Sequence, residues 1–235
     1  SVIFQPDSRM YVLLAEGIRQ QATLSDPSRP DEPNVERMPG YPVFLAFLLT
    51  ISGGSFLFVV AFQAVLDSFT CVLVSILAER VRSGVGLLAG LLAALNPNMI
   101  TYSFFVLTDS LFLLILMIAI LSVMRFMEKP DWRWSVISGG VLGSGTLIRP
   151  VLLYFPIFLL PLLWAYMMRR TGISIFRATG LSLLIACMFS GVLTPWLLRN
   201  QSVGGRFQLT SQGGEYLAQY VVPFVWQYSK VIPFI

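Results

Sequence analysis

From residue 56 to residue 198 the chain is a succession of apolar runs, most of them close to the length that crosses a bilayer. A transmembrane helix needs about 20 predominantly apolar residues, because hydrocarbon offers the backbone no hydrogen-bond partners and only a helix satisfies its own across about 30 Å. The pattern therefore predicts an all-α, multi-pass transmembrane bundle. Composition agrees, with 56% hydrophobic and 12% charged residues, where soluble domains carry about a quarter charged. The net charge of +4 comes from basic residues scattered among the apolar runs. They read as topology signals rather than as a nucleic-acid surface.

Ahead of the long runs, residues 7–21 place Met10, Leu13, Leu14 and Ile18 at helical spacing, with Arg9, Glu16, Arg19 and Gln20 elsewhere on the wheel. This predicts an amphipathic helix lying on the membrane surface. Residues 22–40 form a polar loop, and the short apolar run 41–52 predicts a second juxtamembrane or partly inserted helix, closed by Gly53-Gly54-Ser55. Six spans are then expected, over 56–78, 84–100 (shortened by Asn96-Pro97-Asn98), 104–124, 134–148, 151–168 and 175–198. The domain reading is an outer loop over 1–55, a six-helix transmembrane bundle over 56–198 and an outer-face segment over 199–235, with turns at Gly204-Gly205 and Gly213-Gly214. Gly139, Gly140, Gly143 and Gly145 suit a close helix–helix approach. Residues 1–6 and the end at Ile235 read as cut edges of a longer chain.

Arg80, Arg82, Arg125, Lys129, Arg133, Arg169, Arg170 and Arg177 all fall at one end of the runs. The positive-inside rule places that end in the cytoplasm. Asp7, Asp109, Arg149 and Arg199 then share the opposite face. Asp7 opens the surface helix, as an N-cap or as a general base for a hydroxyl nucleophile. Asp109 has the same two readings in Thr108-Asp109-Ser110, where a carboxylate also interacts favourably with the helix macrodipole. Arg149 and Arg199 suit headgroup snorkelling or phosphate binding. Asp67, one turn after Gln63 inside a span, reads as a structural hydrogen-bonding group. Histidine is absent, which excludes Ser-His and Cys-His catalysis and leaves a divalent metal no imidazole ligand; Cys71 and Cys187 read as small hydrophobes.

Several motifs together resemble one family. Asp7-x3-Tyr11-x3-Ala15, Arg37-Met38-Pro39-Gly40-Tyr41-Pro42, Leu107-Thr108-Asp109-Ser110-Leu111-Phe112, Leu147-Ile148-Arg149-Pro150 and Pro195-Trp196-Leu197-Leu198-Arg199-Asn200 occur in the order seen in GT-C glycosyltransferases. The closest branch is that of the dolichyl-phosphate-mannose protein mannosyltransferases and aminoarabinose transferases. The resemblance implies inverting transfer of a hexosyl or pentosyl group from a polyprenyl-phosphate donor to an acceptor hydroxyl. The site would face the periplasm or exterior of a bacterial plasma membrane. It implies Asp7 as the catalytic group that draws the acceptor proton, Asp109 as a second catalytic carboxylate lining the site, and Arg149 and Arg199 as donor-phosphate ligands, with no cofactor, although some members use a divalent metal. Asp109 and Ser110 depart from the family's usual Glu-Pro. A rival reading is a shortened, inactive relative serving as a structural subunit beside other membrane subunits. A transporter is a third, opposed by ionisable residues that gather at the interface instead of the midplane.

Overall fold

The computed structural model describes residues 5–29, 31–212 and 222–223; Gly213-Gly214 and most of the expected outer-face segment lie outside them. Among the described residues the chain is helical, with one isolated antiparallel bridge between Ser25 and Pro33. Helix α1 (Pro6–Gln21) is capped by Gln5 rather than Asp7, which stands in the first turn. Ser8 Oγ closes the cap by accepting from the Gln5 backbone N–H at 3.0 Å. Tyr11, Ala15 and Ile18 on α1 pack against Tyr41, Leu45, Leu48 and Leu49 of α2 (Gly40–Ile51). At 12 residues, α2 is too short to span.

Helix α3 (Phe56–Val81) is a full-length apolar helix capped by Ser55. The expected second span over 84–100 is instead two short helices, α4 (Gly86–Ala94) and α5 (Pro97–Ser103). The cause is local. Asn96 Oδ1 accepts from the backbone N–H groups of Asn98 at 2.9 Å and Met99 at 3.4 Å, and Pro97 opens a new helix at its favoured first position. The 9 residues of α4 rise only about 14 Å. Helix α6 (Asp109–Glu128) starts later than the expected 104, because residues 104–108 form turns. Helix α7 (Trp132–Ile148) follows, then a 3-10 turn (Pro150–Tyr154), α8 (Phe155–Tyr166), a π turn (Met167–Thr171) and the long α9 (Ile175–Gly204). Gly205 ends α9 with φ of +66°, a conformation glycine adopts without strain.

Among the described residues four helical stretches are long and apolar enough to cross a membrane: Phe56–Val81, Asp109–Glu128, Pro150–Thr171 and Ile175–Gly204. Helix α7 has 17 residues. Neighbours run α4, α3, α6, α7, α9 across the bundle, with α8 against α9 and α2 against α3 and α7. Large apolar side chains such as Phe69, Leu87, Phe158 and Leu162 are left exposed on the outside, as expected where lipid is the solvent. The two ends of the bundle are distinct. Arg80 pairs with Glu128 at 3.1 Å where α3 and α6 end, while Asp109 begins α6 at the other end of its 20 residues, roughly 28 Å along the axis.

Helices α7 and α9 touch through two glycines. A Cβ added to Gly139 would lie 2.4 Å from the Ile185 carbonyl oxygen, and one on Gly143 would lie 2.8 Å from Val192 Cβ. At Gly140 the same atom would meet nothing within 4 Å. The other fixed joint ties the end of α9 to the outer loop. Trp196 Nε1 donates to the Leu209 carbonyl at 2.8 Å, and buried Asn200 Nδ2 donates to the Gln208 carbonyl at 2.9 Å. Arg199 donates to the backbone carbonyls of Asn34 and Leu24 and stacks on Trp196. Thr210 Oγ1 donates to the Glu36 carbonyl, and Ser211 N–H to that of Val35 at 3.1 Å.

Gly139→Ala should lower stability in detergent by roughly 1–3 kcal/mol by overpacking, while Gly140→Ala leaves the thermal midpoint nearly unchanged. Asn200→Ala leaves the Gln208 carbonyl without its donor and should cost roughly 1–3 kcal/mol, with faster proteolysis of 206–212 as a second readout.

Candidate active site

Arg149 owes its place to the residue after it. Proline disfavours helical backbone in the preceding residue, and Arg149 is extended, with φ of −137° and ψ of 125°, ending α7. Its side chain is met by the start of α6. Nη2 lies 2.8 Å from Asp109 Oδ1, Nε donates to Thr108 Oγ1 at 2.7 Å, and the guanidinium stacks 5.3 Å from the Phe112 ring centroid. Thr108, Asp109 and Phe112 thus form one grip. Asp109 is an acid in the first turn of its helix, where the macrodipole favours a carboxylate.

Arg37 is placed by the outer loop. Asn34 brackets its backbone, donating from Nδ2 to the Arg37 carbonyl at 3.0 Å and accepting the Arg37 N–H at 3.2 Å. The following Met38 is buried, and Gly40 lets the chain press against α7. A Cβ there would lie 2.7 Å from the Leu147 carbonyl oxygen. Arg37 Nη2 reaches Asp7 Oδ1 at 3.0 Å and Nε reaches Glu36 Oε1 at 3.2 Å. The Arg37 side chain is 12% exposed and that of Asp7 52%, so the cation is held and the carboxylate is open to a ligand. The guanidinium also lies 5.7 Å from the Tyr11 ring centroid. Burial pushes the Tyr11 phenol above its ordinary value, partly opposed by Arg37.

These groups line one cavity of about 350 Å³, bounded by Asp7, Tyr11, Arg37, Tyr102, Thr108, Asp109, Arg149 and Gln212. It combines two carboxylates with two guanidinium groups, an arrangement suited to moving a proton at one point and neutralising an anion at another. A second cavity of about 440 Å³ also opens on Asp7, lined by Gln5, Asn98, Thr101, Tyr102, Phe105 and Leu107. Three of the four site residues expected from the sequence, Asp7, Asp109 and Arg149, therefore meet. Arg199 is not among those lining the cavity, and its guanidinium is taken up by the loop carbonyls of Leu24 and Asn34.

Sequence reasoning gave Arg37 no role, although the Pro-Gly that follows marks a chain held in a fixed turn. Asp67 and Gln63 are hydrogen-bonded inside the bundle. Asp67 accepts from Ser110 Oγ at 2.7 Å, while Gln63 accepts from the Tyr41 hydroxyl at 2.9 Å and donates to the Phe105 carbonyl at 2.7 Å. Among the described residues no three His, Cys, Asp or Glu side chains are grouped to hold a metal. Both cavity carboxylates have an arginine partner.

Neither a curated protein nor a solved structure matches this chain. The sequence profile described as dolichyl-phosphate-mannose-protein mannosyltransferase matches residues 31–197. That range takes in Arg37, Asp109 and Arg149 and leaves Asp7 and Arg199 outside. With most of its length matched, this integral membrane chain belongs to the dolichyl-phosphate-mannose-protein mannosyltransferase family of GT-C-type glycosyltransferases.

Proposed function

We propose that this chain transfers a sugar from a polyprenyl-phosphate donor to an acceptor hydroxyl, with inversion, on the non-cytoplasmic face of the membrane. The observation that carries the reading is the cavity shared by Asp7, Arg37, Asp109 and Arg149. It sits at the end of the bundle opposite the arginine-rich turns, whose charge argues for the cytoplasmic side.

Asp7 acts as the general base. Arg37 takes Oδ1, and Oδ2 remains for the acceptor proton. As the acceptor oxygen forms its bond to the anomeric carbon, the bond from that carbon to the phosphate oxygen breaks, and its electron pair stays on the departing polyprenyl phosphate. Arg149 and Arg37 neutralise that charge, which a planar guanidinium does well in a low-dielectric site. Asp109 and Thr108 hold Arg149 in position. In this proposal Arg37 supplies the second guanidinium in place of Arg199. The neighbouring cavity on Asp7 supports a separate approach for the acceptor.

Purified protein supplied with polyprenyl-phosphate mannose tests the assignment. Asp7→Asn should reduce transfer by about 10²-fold or more, the usual worth of a general base, while donor binding persists. Full transfer by this variant would remove Asp7 as the base. Arg149→Met should weaken donor binding and slow turnover together by at least about tenfold, in line with loss of a charge-assisted phosphate contact. Arg199→Met should act on thermal stability more than on donor KM.

A further inference from the structure

At the end of the bundle away from the proposed active site, a cavity of about 640 Å³ lies between the α6–α7 turn and the start of α9. We propose that it is a binding site for the phosphate headgroup of an anionic phospholipid. The walls are amphipathic. Lys129 and Arg177 supply cations, while Trp132, Ile173 and Leu181 supply apolar surface, and Glu128 and Asp131 also line the cavity.

The two basic groups are available. Among the described residues neither Lys129 nor Arg177 has an acidic partner within 4.0 Å. Each of the two acids in the lining is engaged through at least one oxygen. Glu128 gives one oxygen to Arg80 and the other to Arg125, each at 3.1 Å. Asp131 Oδ1 accepts from the Arg133 backbone N–H at 2.6 Å to cap α7. The surrounding turns, over 79–82, 125–133 and 169–177, hold eight cations against three acids, so the local field favours an anion.

The membrane supplies the occupant in preference to solvent. Trp132 is 61% exposed, Ile175 50% and Phe176 88%, an apolar rim around a basic mouth. Aromatic and basic side chains mark the headgroup level of a bilayer, and basic pockets between transmembrane helices take anionic headgroups. A soluble phosphate would use the cations and leave that rim in water. A diacyl lipid uses both, with its phosphate between Lys129 and Arg177 and an acyl chain along Ile175 and Phe176.

The test uses the full chain in detergent, titrated with phosphatidylglycerol or phosphatidylcholine, with bound lipid counted by native mass spectrometry. The expected result is one retained phosphatidylglycerol that excess phosphatidylcholine does not displace. Lys129→Gln combined with Arg177→Gln should lower its affinity about thirtyfold, as two headgroup-level charges are lost. Arg82→Gln with Arg170→Gln removes the same charge outside the cavity and should change little, and Lys129→Arg should retain the lipid. Equal affinity for the two lipids, equal losses in the two double variants, or displacement by millimolar inorganic phosphate would each overturn the proposal. The wild-type lipid preference remains a decisive measurement even if a double variant fails to fold.

Discussion

The ion pair between Arg149 and Asp109 joins two helices at the point where both leave the apolar layer. A lone charge at that depth is costly, and a carboxylate or a guanidinium is tolerated there when the other answers it. The pair therefore does two things. It fixes the end of α7 to the start of α6, and it presents a guanidinium whose aromatic and hydroxyl neighbours, Phe112 and Thr108, leave it one orientation.

The second half of the cavity is brought in by a loop, which must be held by its backbone because it has no helix of its own. The Trp196, Arg199 and Asn200 side chains at the end of α9 supply that hold, taking up carbonyls from two separate strands of irregular chain. A guanidinium used in this way is a structural fastener. The guanidinium in the cavity is that of Arg37, which the fastened loop carries to Asp7. The long α9, the outer loop and α1 thus form a chain of support that ends at the proposed base.

The bundle puts its tightest contact where side chains are smallest. Gly139 and Gly143 bring α7 against α9, and this sets the distance between the Arg149 end and the Arg199 end of the same pair of helices. Close packing substitutes for a hydrophobic driving force that a bilayer does not provide.

Much of this was legible in the amino-acid order. Apolar runs named the helices, the bias of Arg and Lys separated the two ends, and Arg149-Pro150 and Thr108-Asp109 stood out as polar groups at helix boundaries. Asn96-Pro97 was visible as an interruption, yet its strength was underestimated, since a capping side chain followed by proline starts a new helix instead of shortening the old one. The roles of Arg199 and Arg37 were not legible. Both are arginines near prolines at the same face, and linear order says nothing about which carbonyls or carboxylates lie within 3 Å. Periodicity and charge are properties of neighbours along the chain, and they set which segments are helical and which ends are polar. The division of labour between two like cations depends on contacts across 165 and 30 positions, and those exist only once the helices have packed.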